Sequence, residues 1–74
     1  MYSVITRWTE DRKIDAHIIN GRVEPTIHVY NKYTDETDSF VDYQGQQYSL
    51  VFEHANLDHA EFIYFNLIEK FNNQ

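Results

Sequence analysis

Alternation opens the chain. Tyr2, Val4, Thr6 and Trp8 fall on one side of an extended segment, and Ser3, Ile5 and Arg7 on the other. That is the two-residue period of a β-strand, here over about 2–8. Thr9-Glu10-Asp11-Arg12 is a polar break suited to a turn. Residues Lys13 to Ile19 fit two patterns. As a helix capped by Thr9 they offer only a thin apolar stripe of Ile14, Ile18 and Ile19. As a strand, Ile14, Ala16 and Ile18 share one face, and the Asn20-Gly21 that follows is a strong hairpin signal. The pattern therefore favours a strand over about 13–19.

A third strand is expected over about 22–33, where Ile27, Val29 and Tyr33 alternate with His28, Tyr30 and Lys32. Pro25 has no amide donor, which puts the start of that segment at a sheet edge or a bulge. Thr34 to Asp38 reads as an acidic loop. Strands over about 39–43 and 47–52 then form a second hairpin around Gln44-Gly45-Gln46.

The last segment predicts a helix over about 57–72. Asn56 or Asp58 can cap it, and Asp58 with Glu61 resembles a capping box. Ala60, Ile63, Tyr64, Leu67, Ile68 and Phe71 share one arc, which should lie on the sheet. Leu67 sits near the centre of that arc, so Leu67→Ala is expected to cost about 2–5 kcal/mol. Phe62 and Phe65 point to the opposite side, among Asp58, Glu61 and Glu69. Together the elements predict an α+β fold: a four- to five-stranded antiparallel sheet with one C-terminal helix packed on one face.

Composition narrows the function classes. The 74 residues suit a single domain, 1–74. Without cysteine, disulfides, thiolate metal sites and Cys nucleophiles are excluded. Met1 to Arg7 does not resemble a signal peptide, and no apolar run approaches the length of a membrane span, so a cytoplasmic protein is expected. Ser3, Ser39 and Ser49 stand in no nucleophile elbow, and Gly21 and Gly45 are too isolated for a phosphate loop. A non-enzymatic protein without a cofactor is the expectation. Glu53, His54, Asp58, His59 and Glu61 include zinc-ligand types, but His54 and His59 are five residues apart and diverge if both are helical, so no metal site is expected.

Charge is divided unevenly. The net charge of −6 splits into +1 over residues 1–34 and −7 over residues 35–74. Asp35, Glu36, Asp38, Asp42, Glu53, Asp58, Glu61 and Glu69 form a candidate partner-binding surface, and Phe62 and Phe65 a candidate self-association or partner patch. A rigid array of carboxylates competes for a basic groove by the same Coulombic attraction that holds phosphates there.

In size, acidity and absence of catalytic motifs, the chain resembles small phage proteins that imitate DNA and inhibit host replication or repair proteins. Inhibitors of DNA sliding clamps and of uracil-DNA glycosylase are the familiar kinds. The resemblance implies a monomer or homodimer in the host cytoplasm, bound to a host DNA-binding protein with a basic groove or channel and not to nucleic acid or membrane. A sliding clamp is the leading target. Two other readings stand beside it. A small β-sheet protein could stack single-stranded nucleic acid on Trp8 and Tyr30, helped by Arg7, Arg12, Lys13, Arg22 and Lys32. A structural homo-oligomeric domain would use the phenylalanine patch for itself.

Overall fold

The computed structural model of the chain describes residues 1–72. Among these residues five strands precede one helix: β1 (Tyr2–Trp8), β2 (Ile14–Asn20), β3 (Ile27–Asn31), β4 (Glu36–Tyr43), β5 (Gln46–His54) and α1 (Leu57–Asn72). All neighbouring strands are antiparallel, in the order β2-β1-β5-β4-β3. The fold is α+β, a five-stranded antiparallel sheet with a C-terminal helix.

Residues 14–20 are a strand, but Asn20-Gly21 does not close a hairpin. β2 and β3 occupy opposite edges of the sheet. The link from Gly21 to Thr26 therefore has to cross three strands. Four inter-strand spacings come to about 19 Å, close to the reach of six extended residues. A link this short runs nearly straight across one face. It is pinned at both ends: the Gly21 amide donates to the Met1 carbonyl at 2.8 Å, and the Thr26 amide to the Phe40 carbonyl at 2.8 Å. Between them Val23 packs on a cluster of Ile5, Val41 and Tyr48. The third strand is accordingly shorter than the alternation predicts, Ile27–Asn31 instead of 22–33. Conversely, β4 begins at Glu36, so most of the predicted acidic loop is strand.

Gly21 turns the chain out of β2 with a φ of +128°, a backbone angle that side chains rarely adopt. A Cβ there would meet nothing within 4 Å. The expected loss of about 1–3 kcal/mol for Gly21→Ala is thus conformational and not steric. A chemical denaturation curve with an unchanged midpoint would refute it.

β5 is bent. Its first half, Gln46–Ser49, pairs with β4, and its second half, Ser49–His54, pairs with β1. The register shifts where Val4 faces Phe52 but Ile5 faces Leu50, leaving Val51 as the extra residue of a bulge. The sheet thereby splits into a β2-β1 wing, which α1 covers, and a β4-β3 wing, which it does not.

The helix is capped by Asn56, whose Oδ1 accepts from the Asp58 amide at 2.8 Å. Asp58 lies inside the first turn instead of forming the predicted capping box. Ala60 is fully buried against the sheet, with Ile63, Tyr64, Leu67, Ile68 and Phe71 half-buried on the predicted arc. At the far end Asn72 latches the helix to β2. Its side-chain amide accepts from the Ile14 N–H at 2.7 Å and donates to the Ile14 carbonyl at 3.0 Å. Asn72→Ala leaves both backbone groups of a buried residue unpaired. It is expected to cost about 1–3 kcal/mol. Faster hydrogen exchange at Ile14 would accompany that loss.

Candidate protein-binding surface

Strand pairing carries the facing of each side chain across the sheet. Val4, Thr6 and Trp8 of β1 share the helix side with Ile14, Ala16 and Ile18 of β2 and with Phe40, Ile27 and Val29 of the far wing. Trp8 confirms the side, since its ring meets Phe71 edge-on with centroids 5.1 Å apart. Ser3, Ile5, Arg7, His17, Tyr43 and Tyr48 lie on the opposite side, beneath or beside the 21–26 link.

The eight acidic candidates divide on this frame. Glu36, Asp38 and Asp42 alternate along β4 on the helix side and are exposed. Asp35 sits in the β3–β4 turn with a φ of +55° and accepts a hydrogen bond from the Tyr30 hydroxyl. Glu53 faces away from this group, since it pairs with Ser3 on the opposite side. Asp58, Glu61 and Glu69 belong to the helix. The structure therefore gathers two acidic groups, one on β4 and one on α1, and leaves Glu53 apart.

On α1, Phe62 and Phe65 are 67% and 61% exposed. With Asp58 and Glu69 they follow the i, i+4, i+7, i+11 rule, and Glu61 flanks them. This single outward stripe is about 16 Å long at 1.5 Å per residue. Tyr64 braces Phe65 edge-on, with centroids 5.1 Å apart. Phe62 forms one wall of a cleft of about 540 Å³ completed by Phe52, Asp58, His59 and Ile63. Between Lys32 and Lys70 the sequence holds neither lysine nor arginine, so the stripe has no cation within it.

His54 and His59 come together after all, because one is on β5 and the other on α1. Their rings stack with centroids 4.5 Å apart. His54 Nδ1 accepts from the Asn56 amide at 2.9 Å, which uses that nitrogen in the helix entry. Among the described residues no group of three or more His, Asp or Glu side chains could hold a metal ion. His17 and His28 are on opposite edge strands and do not meet. Trp8 and Tyr30, the two stacking candidates, lie on opposite sides of the sheet.

One polar cluster was not signalled by any motif. Tyr48 is buried, and its hydroxyl donates to Asp15 Oδ2 at 2.8 Å. Arg7 Nε approaches the same oxygen at 3.4 Å, and His17 Nε2 lies 3.1 Å from Asp15 Oδ1. The sequence clue is the Asp15-x-His17 alternation opposite the apolar face of β2. The cluster ties β2 through β1 to β5 on the side away from the helix. Burial first, and then the bond to Asp15, push the Tyr48 phenol up, with Arg7 opposing. The fold thus holds the neutral phenol. Its contribution is complete below the unfolded value near 10 and is lost as pH rises above it. Stability should fall above about pH 10 by up to ~1.4 kcal/mol per pH unit for this one proton. Tyr48→Phe should flatten that slope, and an equally steep alkaline loss in the variant would assign the effect elsewhere.

No helix among the described residues is long and apolar enough to cross a membrane. The outer face of α1 remains the site where exposed aromatics and carboxylates converge, and no protein-family model, curated protein or solved structure matches the chain.

Proposed function

We propose that this chain is a non-enzymatic, acidic interaction protein that docks the outer face of α1 into a basic groove of a DNA-binding protein. The observation that carries the reading is the stripe of Phe62 and Phe65 exposed between Asp58, Glu61 and Glu69. Aromatics this exposed on a charged helix face contribute little to the intrachain core. In a groove they supply the desolvated anchors that concentrate binding energy, while the carboxylates steer the encounter and match the groove's charge.

The β4 carboxylates Glu36, Asp38 and Asp42 extend the negative surface beyond the helix. The resemblance in size and charge to phage DNA mimics makes a bacterial sliding clamp the first target and uracil-DNA glycosylase the second. The test is competition with duplex DNA for each purified protein at about 50 and 200 mM salt. Displacement of DNA should weaken on the order of tenfold or more at the higher salt, because screening shortens the reach of the carboxylates. No displacement from either protein, or an affinity indifferent to salt, refutes the reading.

A further inference from the structure

We infer that the cleft where β4 and β5 part is a strand-addition site for an extended basic peptide of a partner protein. β4 pairs with β5 only through Phe40–Tyr43, and β5 answers with Gln46–Ser49. Beyond that, Glu36–Ser39 pairs with β3 alone, and Leu50 and Phe52–His54 with β1 alone. Among the described residues, two strand edges therefore face each other without ladder partners.

The gap is built into the fold. The Val51 bulge turns β5 toward β1, while the β3–β4 hairpin keeps its own register from Ile27 to Glu36. A cleft of about 260 Å³ lies between them, lined by Thr37, Asp38, Ser39, Val51, Phe52 and Glu53. It adjoins a second cleft of about 470 Å³ that reaches the helix at Leu67 and Phe71 and also includes Asp38 and Val51.

Unpaired strand edges offer alternating N–H donors and C=O acceptors, which an extended chain satisfies and a helix does not. Side-chain chemistry selects the occupant further. Asp38 lines the cleft on the helix side with Glu36 beside it along β4, Glu53 stands on the other face, and none of the lining residues of either cleft is basic. Leu50, half-buried on the face opposite Asp38, gives an apolar contact in the floor. An extended segment alternating lysine or arginine with aliphatic residues fits both features. This site shares Glu36 and Asp38 with the acidic surface proposed above but not the outer face of α1, so substitutions at Phe62 and Phe65 separate the two.

The probe is a fluorescein-labelled nine-residue peptide of alternating lysine and valine, titrated into the full chain and followed by anisotropy and amide chemical shifts. Binding should perturb the amides of residues 36–39 and 50–53. N-methylation of every second peptide residue blocks hydrogen bonding along one edge at constant charge, and should weaken binding by more than about tenfold. Asp38→Lys should weaken it comparably, with circular dichroism confirming the fold, and Asp38→Asn should fall between. Phe62→Asp with Phe65→Asp should bind the peptide as the native chain does. Absence of binding at millimolar peptide, equal binding of the N-methylated peptide, or shifts confined to the outer edge of β3 would overturn the inference.

Discussion

Ile5→Ala will destabilise the fold by about 3–5 kcal/mol, more than Leu67→Ala, which will cost about 1–3 kcal/mol. The order is the reverse of what the helix pattern suggests. Leu67 is at the centre of the arc that packs on the sheet, but α1 covers only one wing and Leu67 stays half-buried beside an open cleft. Ile5 has 0% exposure on the other side, where it meets Val41 and Tyr48 beneath Val23. Truncating it removes methylene groups and leaves a cavity that a pinned crossover link cannot collapse to fill. A domain of this length has on the order of 4–11 kcal/mol in total, so the loss is a large part of the whole. Urea unfolding of the two variants decides the matter. A larger shift for Leu67→Ala would place the main core under the helix.

Alternation identifies β1 and β2 and their faces, because successive side chains of an extended strand point to opposite sides. The helix is equally plain, both in extent and in the arc that packs, since six apolar residues follow its period. The connection between β2 and β3 is not legible. Asn20-Gly21 is locally a hairpin sequence, but the link crosses the sheet and packs Val23 on the cluster of Ile5, Val41 and Tyr48, a long-range contact that local turn chemistry does not encode. Pro25 is the residue that hinted at this, because it cannot donate to a ladder. The segment 36–38, acidic and loop-like in sequence, is strand for a related reason. Glu36 and Asp38 have poor strand propensity, yet cross-strand pairing with Asn31 and Val29 outweighs it.

At the candidate surface, the exposure of Phe62 and Phe65 follows from helical phase and is readable. The separation of Glu53 from the other carboxylates is not, because the bulge at Val51 determines which residues of β5 share a face. The meeting of His54 with His59, of Tyr48 with Asp15, and of Asn72 with Ile14 depends on tertiary placement that no local spacing encodes.

Phe62→Asp combined with Phe65→Asp will leave stability within about 1 kcal/mol of the native chain and will reduce partner affinity by about 100-fold or more. Both rings are mostly in water in the isolated chain, so the fold loses little when they are removed. The substitution also makes the stripe more acidic. A surface that binds by charge alone would then hold a basic groove more tightly, so a loss of affinity identifies the rings as anchors. Charge reversal at Asp58, Glu61 and Glu69 is the complementary change. It will act chiefly on the association rate and its salt dependence, whereas removing the rings will act on dissociation. Stopped-flow association and surface-binding dissociation rates separate the two. Sedimentation of the same variants addresses the rival use of the patch. If the native chain is a dimer that the double variant dissolves, and DNA displacement is unchanged, the rings serve self-association and the carboxylates alone meet the partner. If displacement is lost while the oligomeric state is unchanged, the stripe contacts the partner directly.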